Sequence, residues 1–154
     1  MATSGNITSN ASSNRSISFN WSIASQSIAN NQTTIVWNLV GTGSNTGWVE
    51  SGNFLVKIDG NVVYSSSTRI RLYNGTVVAE GSYTFTHDNN GNKSFSAYIQ
   101  AGIYAVAVNV SASGSWALPQ IARLASIDSF DKGTDIAQQM TIKYTPKATD
   151  FITN

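Results

Sequence analysis

A chain of 154 residues with 41% hydrophobic side chains is long enough to bury one sizeable core, and 11% charged residues with a formal net charge of +1 leave no electrostatic footprint for a nucleic-acid backbone or an anionic membrane surface. Cysteine is absent, which excludes a disulfide framework and thiol chemistry. No apolar run is long enough to span a bilayer, and the start Met1-Ala2-Thr3-Ser4-Gly5-Asn6 lacks the basic and apolar regions of a signal peptide, so the expectation is a protein made in the cytoplasm without export.

Residues 1–15 are rich in Ser, Asn and Thr with little apolar periodicity, and read as a flexible N-terminal arm. The first strand follows. Ile17, Phe19, Trp21 and Ile23 share one parity, with Ser16, Ser18, Asn20 and Ser22 opposite, the period-two pattern of a sheet with one face buried. A turn at Asn30-Asn31-Gln32 leads to Ile35, Trp37 and Leu39. Gly41 to Trp48 is too rich in Gly and polar residues for a strand and reads as a loop that carries a large aromatic. Phe54, Val56 and Ile58 precede an Asp59-Gly60 turn and a strand around Val62 to Tyr64. Arg69 to Tyr73 leads into Asn74-Gly75 and a strand from Thr76 to Glu80.

Tyr83 and Phe85 then run into His87-Asp88-Asn89-Asn90-Gly91-Asn92, where Asn90-Gly91 tolerates the positive φ of a tight connection, and Phe95, Ala97 and Ile99 face inward on the return. That segment reads as a hairpin. From Tyr104 to Leu118 apolar and small polar residues alternate without a break and read as one long strand closed by Pro119. About nine or ten short strands without a helical window indicate an all-β chain, an antiparallel β-sandwich or jelly roll over residues 16–120. Residues 121–126 read as a connector. Residues 127–154, with a strand at Met140, Ile142 and Tyr144, are too few to bury a core of their own and read as the start of a second β module.

The segment His87-Asp88-x-x-Gly91-x-Lys93-Ser94, together with a Ser/Gly-rich strand ending Trp116-Ala117-Leu118-Pro119-Gln120-Ile121-Ala122-Arg123, resembles structural proteins of siphophage tails and baseplates that infect streptococci and related Gram-positive bacteria. In those proteins a β-sandwich module precedes an LPxIPR-like junction and further immunoglobulin-like modules. Ala122 stands where that junction usually has Pro. The resemblance covers residues 15–125 and implies a virion part that recognises host cell-wall polysaccharide, with other phage tail proteins as partners, a homo-oligomeric state such as a trimer, and neither nucleic acid nor membrane as ligand. Two further readings stay open: a purely architectural virion module making protein contacts, and the accessory carbohydrate-binding module of a cell-wall hydrolase.

The residues offer little catalytic chemistry. His87 is the single histidine and reads as a hydrogen-bonded turn residue, and Glu50 and Glu80 are the only glutamates, with nothing in their neighbourhoods to pair them as a glycosidase requires. The expectation is a non-enzymatic protein. The Asp88–Asn92 turn is rich in oxygen ligands, but its Gly is misplaced for a calcium loop and no acid closes the site, so neither metal nor cofactor is expected. Sugar binding needs an aromatic face bordered by amide, carboxylate and Arg groups. Trp21, Trp37 and Trp116 fall on core parities. The candidates left are Trp48 on its Gly-rich loop, Glu50 beside it, Arg69, Arg71 and Tyr73 on one strand face, and Tyr98 on a polar parity.

Overall fold

The structure, a computed structural model, describes residues 1–43, 49–122, 126–132 and 140–145. Eleven strands are described: β1 (Ser4–Thr8), β2 (Arg15–Ser27), β3 (Gln32–Gly43), β4 (Glu50–Ile58), β5 (Asn61–Ser66), β6 (Ile70–Arg71), β7 (Val77–Thr86), β8 (Ser94–Ile103), β9 (Val108–Ala117), β10 (Ser126–Lys132) and β11 (Met140–Thr145). They form one antiparallel sheet in the order β1-β2-β3-β7 and a second in the order β5-β4-β8-β9, with β6 beside β4, while β10 and β11 pair with each other. The chain is an all-β sandwich followed by a separate two-stranded ribbon.

Period-two alternation supplies the two inner faces. Ile17, Phe19, Ile35 and Leu39 of the first sheet have no exposed surface, and neither have Val56, Ile58 and Ile99 of the second. Aromatic rings join the sheets: Trp21 meets Phe95 edge-on at 5.0 Å between centroids, Phe85 lies 4.7 Å from Phe95, and Trp21 meets Trp116 edge-on at 5.5 Å. Trp21 and Trp37 are buried as their parities predict, and Trp116 is half-buried. The β4–β5 hairpin follows from its turn residues. Asp59 (φ 48) and Gly60 (φ 78) both take the left-handed region that a two-residue connection matching strand twist requires.

Three local expectations are corrected. Residues 1–15 do not form a free arm, because Ser4–Thr8 pairs with Ser18–Ser22 as the edge of the first sheet, and the Ala2 amide donates to the Ala117 carbonyl across the sandwich edge at 2.9 Å. Gly5 allows this approach, since a β-carbon there would sit 2.6 Å from Trp116 Nε1 and 2.8 Å from Trp21 Nε1. One aliphatic, Ile7, is too little to register as a strand pattern.

The His87–Asn92 segment is a tight turn, held by the Asp88 carboxylate accepting from the Asn90 and Asn92 amides, but it joins β7 of one sheet to β8 of the other and is not a hairpin. Turn chemistry is local, and it does not specify which sheet the next strand enters.

The run from Tyr104 to Leu118 is a strand only from Val108. Tyr104–Ala107 is the turn between β8 and β9, closed by Ala107 at φ 52, and the alternation continues through it without strand geometry.

The chain beyond β9 is stitched to the end of the sandwich. The Leu118 amide donates to Lys93, the Ile121 amide donates to the Gly91 carbonyl at 2.9 Å, Gln120 Nε2 donates to Asn90, and Gln26 Nε2 donates to Pro119. Leu118 and Ile121 are buried, so the segment expected to begin the connector at 121 still packs on the sandwich at that residue. His87 lies beneath. Its Nδ1 donates to the Gly91 carbonyl at 2.7 Å, which leaves Nε2 to accept from Thr33 Oγ1 at 2.7 Å. The single histidine is a sealed structural residue at 4% exposure.

Candidate functional site

The outer face of the second sheet carries the largest gathering of the candidate residues. Along β8 the outward positions are Tyr98, Gln100 and Gly102, opposite Lys57, Leu55 and Gly52 on β4 and Ser113, Ser111 and Asn109 on β9. The β4 register slips between Gly52 and Leu55, and Asn53 takes φ 48 at that bulge, which re-aims its side chain. Beside it opens a shallow hollow of about 600 Å³ lined by Asn53, Leu55, Ser65, Ser66, Ser67, Thr68 and Gln100. Tyr98 Oη donates to Gln100 Oε1 at 3.0 Å and so fixes the amide on the hollow's floor.

At one end of this face Arg69 lies over the Tyr104 ring, its guanidinium carbon 4.0 Å from the centroid, and its Nη1 stands 3.9 Å from Glu50 Oε2. The side chains of Arg69 and Glu50 are 62% and 41% exposed, so the pair is solvated and open to a ligand. Tyr104 folds back across Gly52, where a β-carbon would meet its hydroxyl at 2.9 Å.

Of the sequence candidates, Glu50 and Arg69 meet at this rim, Arg71 stands opposite Glu50 in the β4–β6 register, and Tyr98 reaches the hollow through Gln100. Tyr73 does not join them. Leu72 between Arg71 and Tyr73 is fully buried, and Tyr73 lies by the ends of β2 and β3, its ring 5.8 Å from the Arg15 guanidinium. The expected single face of Arg69, Arg71 and Tyr73 is therefore split, because β6 is only two residues long. Trp48 lies outside the described residues.

Sequence reading missed Asn53, Gln100, Tyr104 and Asn109. The available signal was the pair of glycines inside strands, Gly52 and Gly102, since mid-strand glycine marks close approach of neighbouring groups. Among the described residues no three His, Asp or Glu side chains converge on a cation position, and no helix is long and apolar enough to cross a membrane.

Compared with family models, curated proteins and solved structures, the chain finds no match.

Proposed function

We propose that this chain is a phage tail or baseplate module that binds host cell-surface polysaccharide, without catalysis, on the outer face of its second sheet. The observation that carries the binding reading is the hollow itself. Its hydroxyls and amides, with one Tyr-oriented glutamine and a solvated Arg–Glu pair on an aromatic ring at the rim, offer the short neutral hydrogen-bonding groups that sugar hydroxyls match. The tail assignment rests on the resemblance of the His87–Ser94 and Trp116–Arg123 segments.

Titration with purified cell-wall polysaccharide from a susceptible Gram-positive host tests this. Weak binding is expected, because few groups engage each sugar and a virion compensates with many copies. Arg69→Ala and Gln100→Ala should abolish binding, while Tyr73→Ala, away from the face, should retain it. Absence of binding at millimolar saccharide would refute the reading.

A second, architectural reading is favoured by one observation: Val62 on β5 and Val77 on β7, the strands at one lateral edge of the two sheets, are each 57% exposed. Concentration-dependent association lost in Val62→Ser/Val77→Ser would support it.

A further inference from the structure

Among its described strands the sandwich has one long edge that nothing guards. β1 and β9 close on each other, with the Ala2 amide on the Ala117 carbonyl and the Ser111 amide on Asn10 Oδ1, and β5 is six residues long and bulged against β4. β7 is the outer strand of the first sheet, ten residues long, with no Lys, Arg or Pro and Glu80 as its sole charge. The direction of its backbone groups follows from the ladder. The His87 amide donates to the Asn31 carbonyl at 2.9 Å, one step beyond the Thr86–Gln32 pair, and bonding alternates along an antiparallel pair. Phe85, Tyr83, Gly81 and Ala79 therefore bond to β3, while Glu80, Ser82, Thr84 and Thr86 turn their N–H and C=O groups outward. The open stretch has definite ends. Val78 is the extra residue of a bulge and its carbonyl accepts from Tyr64 Oη at 3.4 Å, and beyond Thr86 the chain folds into the Asp88 turn.

We infer that β7 pairs antiparallel with β7 of a second copy about a two-fold axis at Tyr83, joining the two first sheets into one. From the architectural reading above it takes only that copies of the chain associate, and it goes further by fixing the strand, the direction and the register. The edge is self-complementary in that register. Ser82 falls opposite Thr84 and Glu80 opposite Thr86, so every outward N–H and C=O finds a partner and the two carboxylates stay apart. Hydroxyls face each other across the joint, as Thr84 Oγ1 already meets Thr34 Oγ1 at 2.9 Å between β7 and β3. Sliding the pair to put Ser82 on the axis would set Thr86 against the bulged Val78, whose carbonyl is already bonded. A copy suits this edge better than a lone peptide strand because β5 lies beneath it: Asn61 Nδ2 donates to Tyr83 Oη at 3.3 Å, and the adjacent Val62 is 57% exposed. A single added strand leaves Val62 in water, whereas a second copy brings its own β5 and its own Val62 to the same axis.

Sedimentation of the full chain over a range of concentrations tests this, and a monomer–dimer equilibrium is expected. Ser82 and Thr84 are exposed, so both can change without touching the core. Ser82→Lys with Thr84→Lys sets like charges opposite each other on both sides of the axis and should raise the dimer dissociation constant at least about tenfold; Ser82→Glu with Thr84→Lys sets opposite charges there and should restore it. The chain has no cysteine, so Tyr83→Cys reports the axis directly. Under mild oxidation it should give a disulfide-linked dimer, because opposed residues at a non-hydrogen-bonded position have Cα atoms about 4.5 Å apart, within disulfide reach. Glu80→Cys, which faces Thr86 and not itself, should not. A chain that stays monomeric up to about 1 mM would overturn the inference and leave the edge to a foreign strand. A trimer would overturn it too. Association that ignores the paired lysines but is lost in Val62→Ser/Val77→Ser would overturn the β7 joint and leave the architectural reading standing.

Discussion

Gly60 and Gly91 share φ 78 and differ only in what surrounds them, which makes them a controlled pair. A β-carbon on Gly60 meets nothing within 4 Å, so Gly60→Ala should cost only the left-handed penalty of about 1–2 kcal/mol. On Gly91 the same carbon would fall 2.1 Å from the Ile121 carbonyl oxygen, a backbone atom that cannot rotate aside. Accommodating it requires the segment after β9 to lift. That loses the hydrogen bond from the Ile121 amide to the Gly91 carbonyl, worth about 1 kcal/mol net, and uncovers Ile121, now 2% exposed, at about 1.5–3 kcal/mol. Gly91→Ala should therefore cost about 2–4 kcal/mol more than Gly60→Ala. Urea denaturation followed by tryptophan fluorescence measures both. Equal losses would show that Leu118–Ile121 does not dock on the 87–91 turn, and would return the end of the sandwich to the last residue of β9.

Trp37→Ala should destabilise by about 3–5 kcal/mol, because the indole is 6% exposed and stacked on Phe19 at 5.9 Å; an equilibrium urea curve shifted by less than about 1 kcal/mol would mean the ring is not a core element. A chain ending at Ala122 should keep the thermal midpoint of the full chain, since among the described strands β10 and β11 pair only with each other, whereas a chain ending at Ala117 should melt lower for want of Leu118 and Ile121; calorimetry of the two truncations decides. Asp59→Asn preserves a residue tolerant of φ 48 but removes the partner of Lys93 Nζ, 2.7 Å away and about a quarter exposed, so the loss should be no more than about 1 kcal/mol and should shrink in molar salt.

What the sequence made legible was whatever the chain settles locally. The inward parities of Ile17-Phe19-Trp21, Ile35-Trp37-Leu39 and Phe54-Val56-Ile58 place those residues in the core because one face of a pleated strand is enough to define them. The Asp59-Gly60 turn is equally local, since its φ values belong to two adjacent residues. β1 escaped because its strand character is borrowed: Ser4–Thr8 has a single aliphatic and becomes a strand only when β2 offers an edge and Gly5 lets the indoles of Trp21 and Trp116 close over it. The site escaped for a related reason. Asn53, Gly102 and Asn109 are unremarkable in their own segments, and they become neighbours on one face only once a bulge has shifted β4 by a residue and β8 has been inserted between β4 and β9. Tyr73 shows the converse error, since parity assumes a strand long enough to have a face and β6 spans two residues. In this sandwich the buried layer follows from composition along each strand, while the exposed chemistry follows from register between strands, and register depends on bulges and on the order of strands in the sheets, neither of which a short polar segment encodes by itself.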